Sequence, residues 1–204
     1  MIVYDFFAGT GSATKAFNDR GHIVIKVELD KQFDAHERNI LNLTADYLIE
    51  KYGKPDFIWA SPPCTTFSVA SIGRHWNPDK TPKTMDALIG LQLVKHTIRL
   101  IEELNPKYWL IENPRGMLRK QSIMQHLPRQ TVTYCQYNDI RMKPTDLWGK
   151  VGNWKARQTC KNGDKCHQSA PRGSRSGTQG IKGAKDRSVI PFALSEEIYS
   201  FTLE

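Results

Sequence analysis

Short apolar runs recur along the chain, and each ends in glycine, proline or acidic residues. Ile2-Val3-Tyr4-Asp5-Phe6-Phe7-Ala8 leads into Gly9-Thr10-Gly11-Ser12, and Ala13 to Asn18 follow in a helix-compatible pattern. Ile23-Val24-Ile25-Lys26-Val27 ends at Glu28-Leu29-Asp30, Phe57-Ile58-Trp59-Ala60 ends at Ser61-Pro62-Pro63-Cys64, and Tyr108-Trp109-Leu110-Ile111 ends at Glu112-Asn113-Pro114-Arg115-Gly116. Runs of this length between turn residues predict strands buried on both faces, as in a parallel sheet. Between Thr84 and Asn105, Ala87, Leu91, Val94, Ile98 and Ile101 fall at helical spacing with Lys95, Arg99, Glu102 and Glu103 elsewhere, so a crossover helix packs on that sheet. Thr131 to Cys135 reads as a further strand. The alternation predicts an α/β fold, in which ligands bind at the carboxyl ends of the strands.

The residues at those ends carry the candidate chemistry. The Gly9 and Gly11 turn lets backbone approach a ligand closely, and Glu28 follows at the offset from which a carboxylate reaches ribose hydroxyls. The two prolines before Cys64 lack amide donors and cannot continue a central strand, so Cys64 stands on a stiff corner. A free thiol titrates at about 8.5 and only the thiolate attacks, so a reactive Cys64 requires nearby N–H groups or positive charge.

These residues resemble the DNA (cytosine-5)-methyltransferases, especially the compact, phage-type members. Asp5 to Ser12 is similar to the family's first motif, Glu28 to its second, Ser61-Pro62-Pro63-Cys64 to its nucleophile motif and Glu112-Asn113 to its catalytic acid motif. More loosely, Gln136, Arg141 and Lys143 resemble its base-contacting strand, and Arg187 to Pro191 with a helix from Leu194 to Phe201 resembles its last motif. The resemblance implies a Rossmann-like class I S-adenosylmethionine-dependent methyltransferase sheet and methyl transfer to C5 of cytosine in DNA. It assigns Cys64, Glu112 and Arg141 to catalysis, and Asp5, Phe7, Gly9, Gly11, Glu28, Asp46, Pro63 and Ser188 to the donor S-adenosylmethionine. Asn113 is followed by Pro114 where many relatives carry valine, the arginine pattern after Gln136 is not the usual alternation, and there is no room for a large target-recognition domain.

Charge adds a partner. The net charge is +8, yet residues 1–50 carry 5 basic and 8 acidic groups while residues 155–187 carry 9 and 2, interleaved with glycine. Such a stretch suits phosphate contact. Residues 144–186 are expected to form a short basic insert serving DNA recognition within a single domain spanning 1–204. Arg74, Lys143, Arg172, Arg175, Lys182 and Arg187 are the expected DNA contacts, and Thr65 to Lys83 reads as a long loop closing over a base that must leave the helix to be reached. Cys160, Cys166 and His167 offer three ligands for a structural zinc ion. Cys135 is available as a fourth, although in its strand-like run it reads rather as a buried thiol. No apolar stretch approaches membrane-spanning length and no secretory pattern opens the chain, so a cytoplasmic protein of bacterium or phage-infected host with reduced thiols is expected, without an obligate protein partner. Two alternatives stay open: the same chemistry on RNA, and an inactive module binding DNA or the donor.

Overall fold

The computed structural model describes residues 1–169 and 183–203. Its strands are β1 (Ile2–Phe6), β2 (Ile23–Val27), β3 (Phe57–Ala60), β4 (Tyr108–Pro114), β5 (Arg129–Thr133) and β6 (Pro144–Lys150), joined in one sheet in the order β2-β1-β3-β4-β6-β5. β2, β1, β3 and β4 run parallel, whereas β6 is antiparallel to both β4 and β5. The helices are α1 (Lys15–Asn18), α2 (Ala45–Tyr52), α3 (Ile72–His75), α4 (Met85–Leu104), α5 (Ala184–Ser188) and α6 (Phe192–Thr202).

Side-chain alternation sorts the apolar residues into two cores, one on each face of the sheet. Tyr4, Phe6, Ile58, Ala60 and Ile111 pack against Leu48 of α2 and Val94 and Leu100 of α4. Val3, Phe57, Trp59, Leu110 and Leu147 pack against Phe17 of α1 and Leu194 and Ile198 of α6. The crossover helix matches its sequence pattern, with Thr84 capping its start by accepting the Ala87 amide and Asn105 ending it in the left-handed region at φ 44°. A cap of this kind stabilises a helix by about 1 kcal/mol.

Four sequence expectations are revised. The helix after the glycine turn is only Lys15–Asn18. The run Thr131 to Cys135 leaves the sheet at Thr133, and Tyr134–Tyr137 form a 3-10 turn. Residues 144–150 form a strand, not the start of an insert, because Thr145, Asp146, Leu147 and Trp148 are buried between β4 and β5; Val151 and Trp154 are buried after them. Thr65 to Lys83 is folded: Trp76 is buried with its ring 5.4 Å from that of Phe67, and its indole N–H donates to the Thr66 carbonyl at 2.7 Å. Two large aromatic rings, once packed together, remove the freedom of an open loop.

Candidate active site

Because β1, β3 and β4 are parallel and β5 runs the same way, their carboxyl ends share one edge. β6 is antiparallel, so its beginning joins them there, and the Pro144 carbonyl accepts the Arg115 amide at 2.9 Å. Phe7 to Gly11, Glu28, Ser61 to Cys64, Glu112, Tyr134 and Lys143 all lie along this edge.

Its first half is built by backbone. After β1 the chain turns at Phe7, φ 62°, and again at Gly9 and Gly11, φ 49° and 72°. A Cβ on Gly11 would stand 3.2 Å from the Lys26 side chain, so glycine suits both the conformation and the packing there. The Gly9 amide donates to Glu28 Oε2 at 2.8 Å and the Asp30 amide to Oε1 at 2.9 Å, which fixes the carboxylate at the end of β2. Leu29 beside it is 68% exposed, an apolar surface that sequence reading missed because a strand end gives no sign of which side chain is left uncovered. Buried Asp5 accepts the Thr14 hydroxyl at 2.6 Å through Oδ2, while Oδ1 has no partner among the described residues. Burial raises its pKa to about 7, opposed by the Thr14 hydrogen bond and by Lys26.

The second half holds the thiol. The Ser61 amide donates to the Phe6 carbonyl at 3.0 Å, tying the corner to β1. Buried Asn113 donates its side-chain N–H to the Pro62 carbonyl at 2.9 Å, tying it to β4. The Cys64 carbonyl accepts the amides of Phe67 and Ser68 at 3.1 and 3.0 Å, and the Phe67 carbonyl in turn accepts the Met117 amide at 2.7 Å. A Cβ at Gly116 would sit 2.1 Å from the Phe67 carbonyl oxygen, so the close approach of these two segments needs glycine. Pro63 is exposed on the corner and Cys64 is half-buried.

Glu112 is buried, and the Tyr134 hydroxyl donates to its Oε1 at 3.1 Å. Burial raises the Glu112 pKa, opposed by Lys143 and by the hydrogen bonds from Tyr134 and Ser61. Burial also raises the Cys64 pKa, with Glu112 acting the same way and Lys143 and Arg187 against. Lys143 is pushed down by burial, opposed by Glu112 and Cys64. Desolvation and the Glu112 charge thus act against the thiolate, and Lys143 and Arg187 act for it. Protonating Glu112 removes a negative charge that opposes the thiolate, while Lys143 and Arg187 act in its favour.

Other residues are redistributed. Lys143, expected on DNA, is the ammonium of this pocket; its Nζ donates to the Arg187 carbonyl at 3.0 Å and lies 4.6 Å from the Tyr134 ring centre. Arg141, expected in catalysis, is a clamp. It pairs with the Asp139 carboxylate and donates to the carbonyls of Asp186, Arg187 and Val189 at 3.2, 3.1 and 3.0 Å, which occupies its guanidinium with protein. Tyr134 had no predicted role, since nothing in its spacing announces a contact across to β4. The Ser188 hydroxyl donates to the Lys185 carbonyl at 2.7 Å, and the contact of this segment with the glycine turn is the Ile190 amide donating to Ser12 Oγ at 2.9 Å. Asp46 is exposed at the start of α2, lining a hollow with Arg99 and Glu103 of α4, apart from the glycine turn. Arg74 is exposed on α3, whereas Arg172, Arg175 and Lys182 lie outside the described residues. The ligand atoms of Cys135, Cys160, Cys166 and His167 cluster within 4.8 Å of one another, so Cys135 joins the three predicted ligands.

The C-5 cytosine-specific DNA methylase family matches residues 1–130. A probable DNA (cytosine-5)-methyltransferase of Frog virus 3 is 33% identical over 172 residues, covering 81% of this chain and 78% of the viral protein. The Type II methyltransferase M.FnuDI of Fusobacterium nucleatum is 29% identical over 129 residues, covering 60% of this chain but 35% of its own length. A crystal structure of a DNMT2 mutant from Spodoptera frugiperda superposes with a TM-score of 0.50 at 18% identity, covering 76% of this chain and 53% of the other. The chain thus spans most of its viral relative and about a third to a half of the other two.

Proposed function

The chain belongs to the C-5 cytosine-specific DNA methylase family, and from that premise we propose that it transfers a methyl group from S-adenosylmethionine to C5 of cytosine in DNA through a covalent bond between Cys64 and C6 of the base. The supporting observation is that Cys64 stands at one sheet edge within the influence of both Glu112 and Lys143, which also act on each other. The donor fits the neighbouring half: the glycine turn admits close approach, Glu28 presents a fixed carboxylate for hydroxyls, Leu29 an apolar face for a flat ring, and Asp5 an unpartnered buried oxygen. When bound, S-adenosylmethionine supplies an electrophilic methyl group.

C5 of cytosine is a poor nucleophile until a nucleophile has added at C6. Burial favours the protonated form of Glu112, and in that form it donates to N3 and draws electrons from C6. With that carboxyl neutral, the Cys64 thiolate adds to C6, and the resulting enamine attacks the methyl carbon from C5 as the methyl–sulfur bond breaks and the donor leaves as a neutral thioether. Loss of the C5 proton then expels Cys64. The base reaches the pocket flipped out of a duplex or presented as a single strand. With β6 in the sheet, the residues left for recognition begin after Trp154, so the target is short, about two to four base pairs at 1–3 kcal/mol per good bidentate contact. The cysteine and histidine cluster stands apart from this chemistry, and the amine of the pocket is Lys143. No helix among the described residues is long and apolar enough to cross a membrane.

The test is incubation of the chain with labelled donor and unmethylated DNA, or with RNA, followed by mapping of the modified bases. Label at C5 of cytosine in DNA supports the reading. Label in RNA alone moves the substrate class, and donor binding without transfer to either leaves only a binding module.

A further inference from the structure

The cluster of Cys135, Cys160, Cys166 and His167 takes no part in the chemistry above, and its dimensions are those of a metal centre. Cys135 Sγ lies 3.1 Å from Cys160 Sγ and 3.6 Å from Cys166 Sγ, and His167 Nδ1 lies 3.6 and 3.5 Å from the sulfurs of Cys160 and Cys166. All four cysteines of the chain are free thiols, and 3.1 Å is far beyond a disulfide bond of about 2.05 Å. A zinc ion at about 2.3 Å from sulfur and about 2.0 Å from nitrogen, at tetrahedral angles, sets sulfur pairs near ~3.8 Å and sulfur–nitrogen pairs near ~3.6 Å apart. Two of the three sulfur–nitrogen separations and one of the three sulfur pairs are close to those edges, the 3.1 Å pair has to open by well under 1 Å, and the other two pairs lie within 4.8 Å. Three thiolates and an imidazole suit zinc and are wrong for magnesium or calcium, and four protein ligands close the shell as in a structural site.

We propose that these four residues bind a zinc ion, and that the ion clamps the root of the basic insert onto the wall of the base pocket. Cys135 directly follows Tyr134, whose hydroxyl is bonded to Glu112. The other three ligands come from the insert, whose backbone is tied to the same wall where the Cys160 amide meets Thr133 Oγ1 at 3.2 Å and the Gln168 amide meets the Ile140 carbonyl at 2.9 Å. Beyond the segment 170–182, Arg141 and Lys143 hold the carbonyls of Asp186, Arg187 and Val189. Residues 134–143 therefore anchor the basic stretch on both sides and also present Tyr134 and Lys143 to the pocket. Sequence reading favoured a buried thiol over a ligand at Cys135, which stands 25 residues before Cys160 and joins the other three only because the strand ends early.

The role given to the ion in DNA engagement rests on the methyl-transfer reading; the existence of the metal site does not. Full-length chain grown with added zinc and analysed for metals is expected to hold a single zinc ion. Cys160→Ser and the double variant Cys166→Ser, His167→Asn should lose it while Cys64→Ala keeps it, and cobalt substitution should give the visible spectrum of tetrahedral thiolate coordination. Chelation of the wild-type chain, and the double variant, should weaken DNA binding roughly tenfold or more through loss of pre-organisation, with donor affinity by calorimetry unchanged and zinc restoring the chelated chain. Absence of metal, iron in its place, or loss of the ion in Cys64→Ala overturns the site. Zinc present with DNA affinity indifferent to its removal, or donor binding lost together with DNA binding, overturns the clamp. A chain that methylates no nucleic acid leaves the metal analysis intact, so the two readings fail separately.

Discussion

The donor side and the base side of the sheet edge are held by different kinds of force. At the donor side, main-chain amides fix the Glu28 carboxylate and glycine conformations shape the turn. At the base side, side chains bridge distant segments: Tyr134 to Glu112, Arg141 to three carbonyls, Lys143 to Arg187, and a cysteine of one wall to two cysteines and a histidine of the insert. Backbone geometry follows from local sequence and survives most substitutions nearby. A surface built from single long-range contacts is lost when one of them is removed.

The sharpest separation of the two sides comes from Cys64→Ala. Methyl transfer should fall below detection in an assay with labelled donor while donor affinity by calorimetry is retained, since no donor-side contact uses the sulfur. More than a few per cent of residual transfer would remove Cys64 as the nucleophile. Wild-type chain should also be trapped covalently on DNA containing 5-fluorocytosine, where fluorine cannot leave as a proton does.

Next in size is Arg141→Ala, which leaves Asp139 without its partner and three carbonyls without a donor. Breaking a buried pair costs about 3–5 kcal/mol, to be read as a lowered midpoint of urea unfolding. A change under about 1 kcal/mol, with transfer lost all the same, would return Arg141 to a direct part in the reaction.

Glu28→Ala tests the donor side. Loss of charge-assisted hydrogen bonds at roughly 1.5–3 kcal/mol each should weaken donor binding at least tenfold while leaving DNA affinity in place. Unchanged calorimetric affinity would exclude Glu28 from the site.

The last test is a slope with pH. Asp5 is raised from 3.8 in the unfolded chain to about 7 in the fold. Between those values the folded state keeps a proton that the unfolded state has released. The stability this group contributes is therefore full below about pH 4 and is lost as pH rises through about 7, at about 1.4 kcal/mol per unit. Urea midpoints of wild type and Asp5→Asn at about pH 5 and about pH 8 should differ in that direction, the wild type losing more on the way up. Parallel behaviour of the two chains would mean that Asp5 ionises normally.

The same contrast explains what could be read from sequence. Four strands, the crossover helix, the glycine turn, the Pro-Pro-Cys corner and the buried acid were legible because each is a local pattern. β6 was hidden: Pro144-Thr145-Asp146-Leu147-Trp148-Gly149-Lys150 carries a buried Asp146 that is bearable only because Arg119 and Thr131 neutralise and bond it. The roles of Arg141, Lys143 and Tyr134 were likewise invisible, since they depend on which carbonyl or carboxylate arrives from elsewhere in the chain. Lys143 even adopts φ 27°, a conformation that its residue type does not suggest.

The sheet order also bears on how the protein is made. β6 lies between β4 and β5, yet it leaves the ribosome after both of them. Until residue 150 has emerged, the strand that carries Glu112 has an open edge, and exposed strand edges recruit other chains. The 130 residues shared with the wider family contain neither β6 nor most of β5. Expressed alone, they are expected to form an unfinished sheet with the β4 edge open.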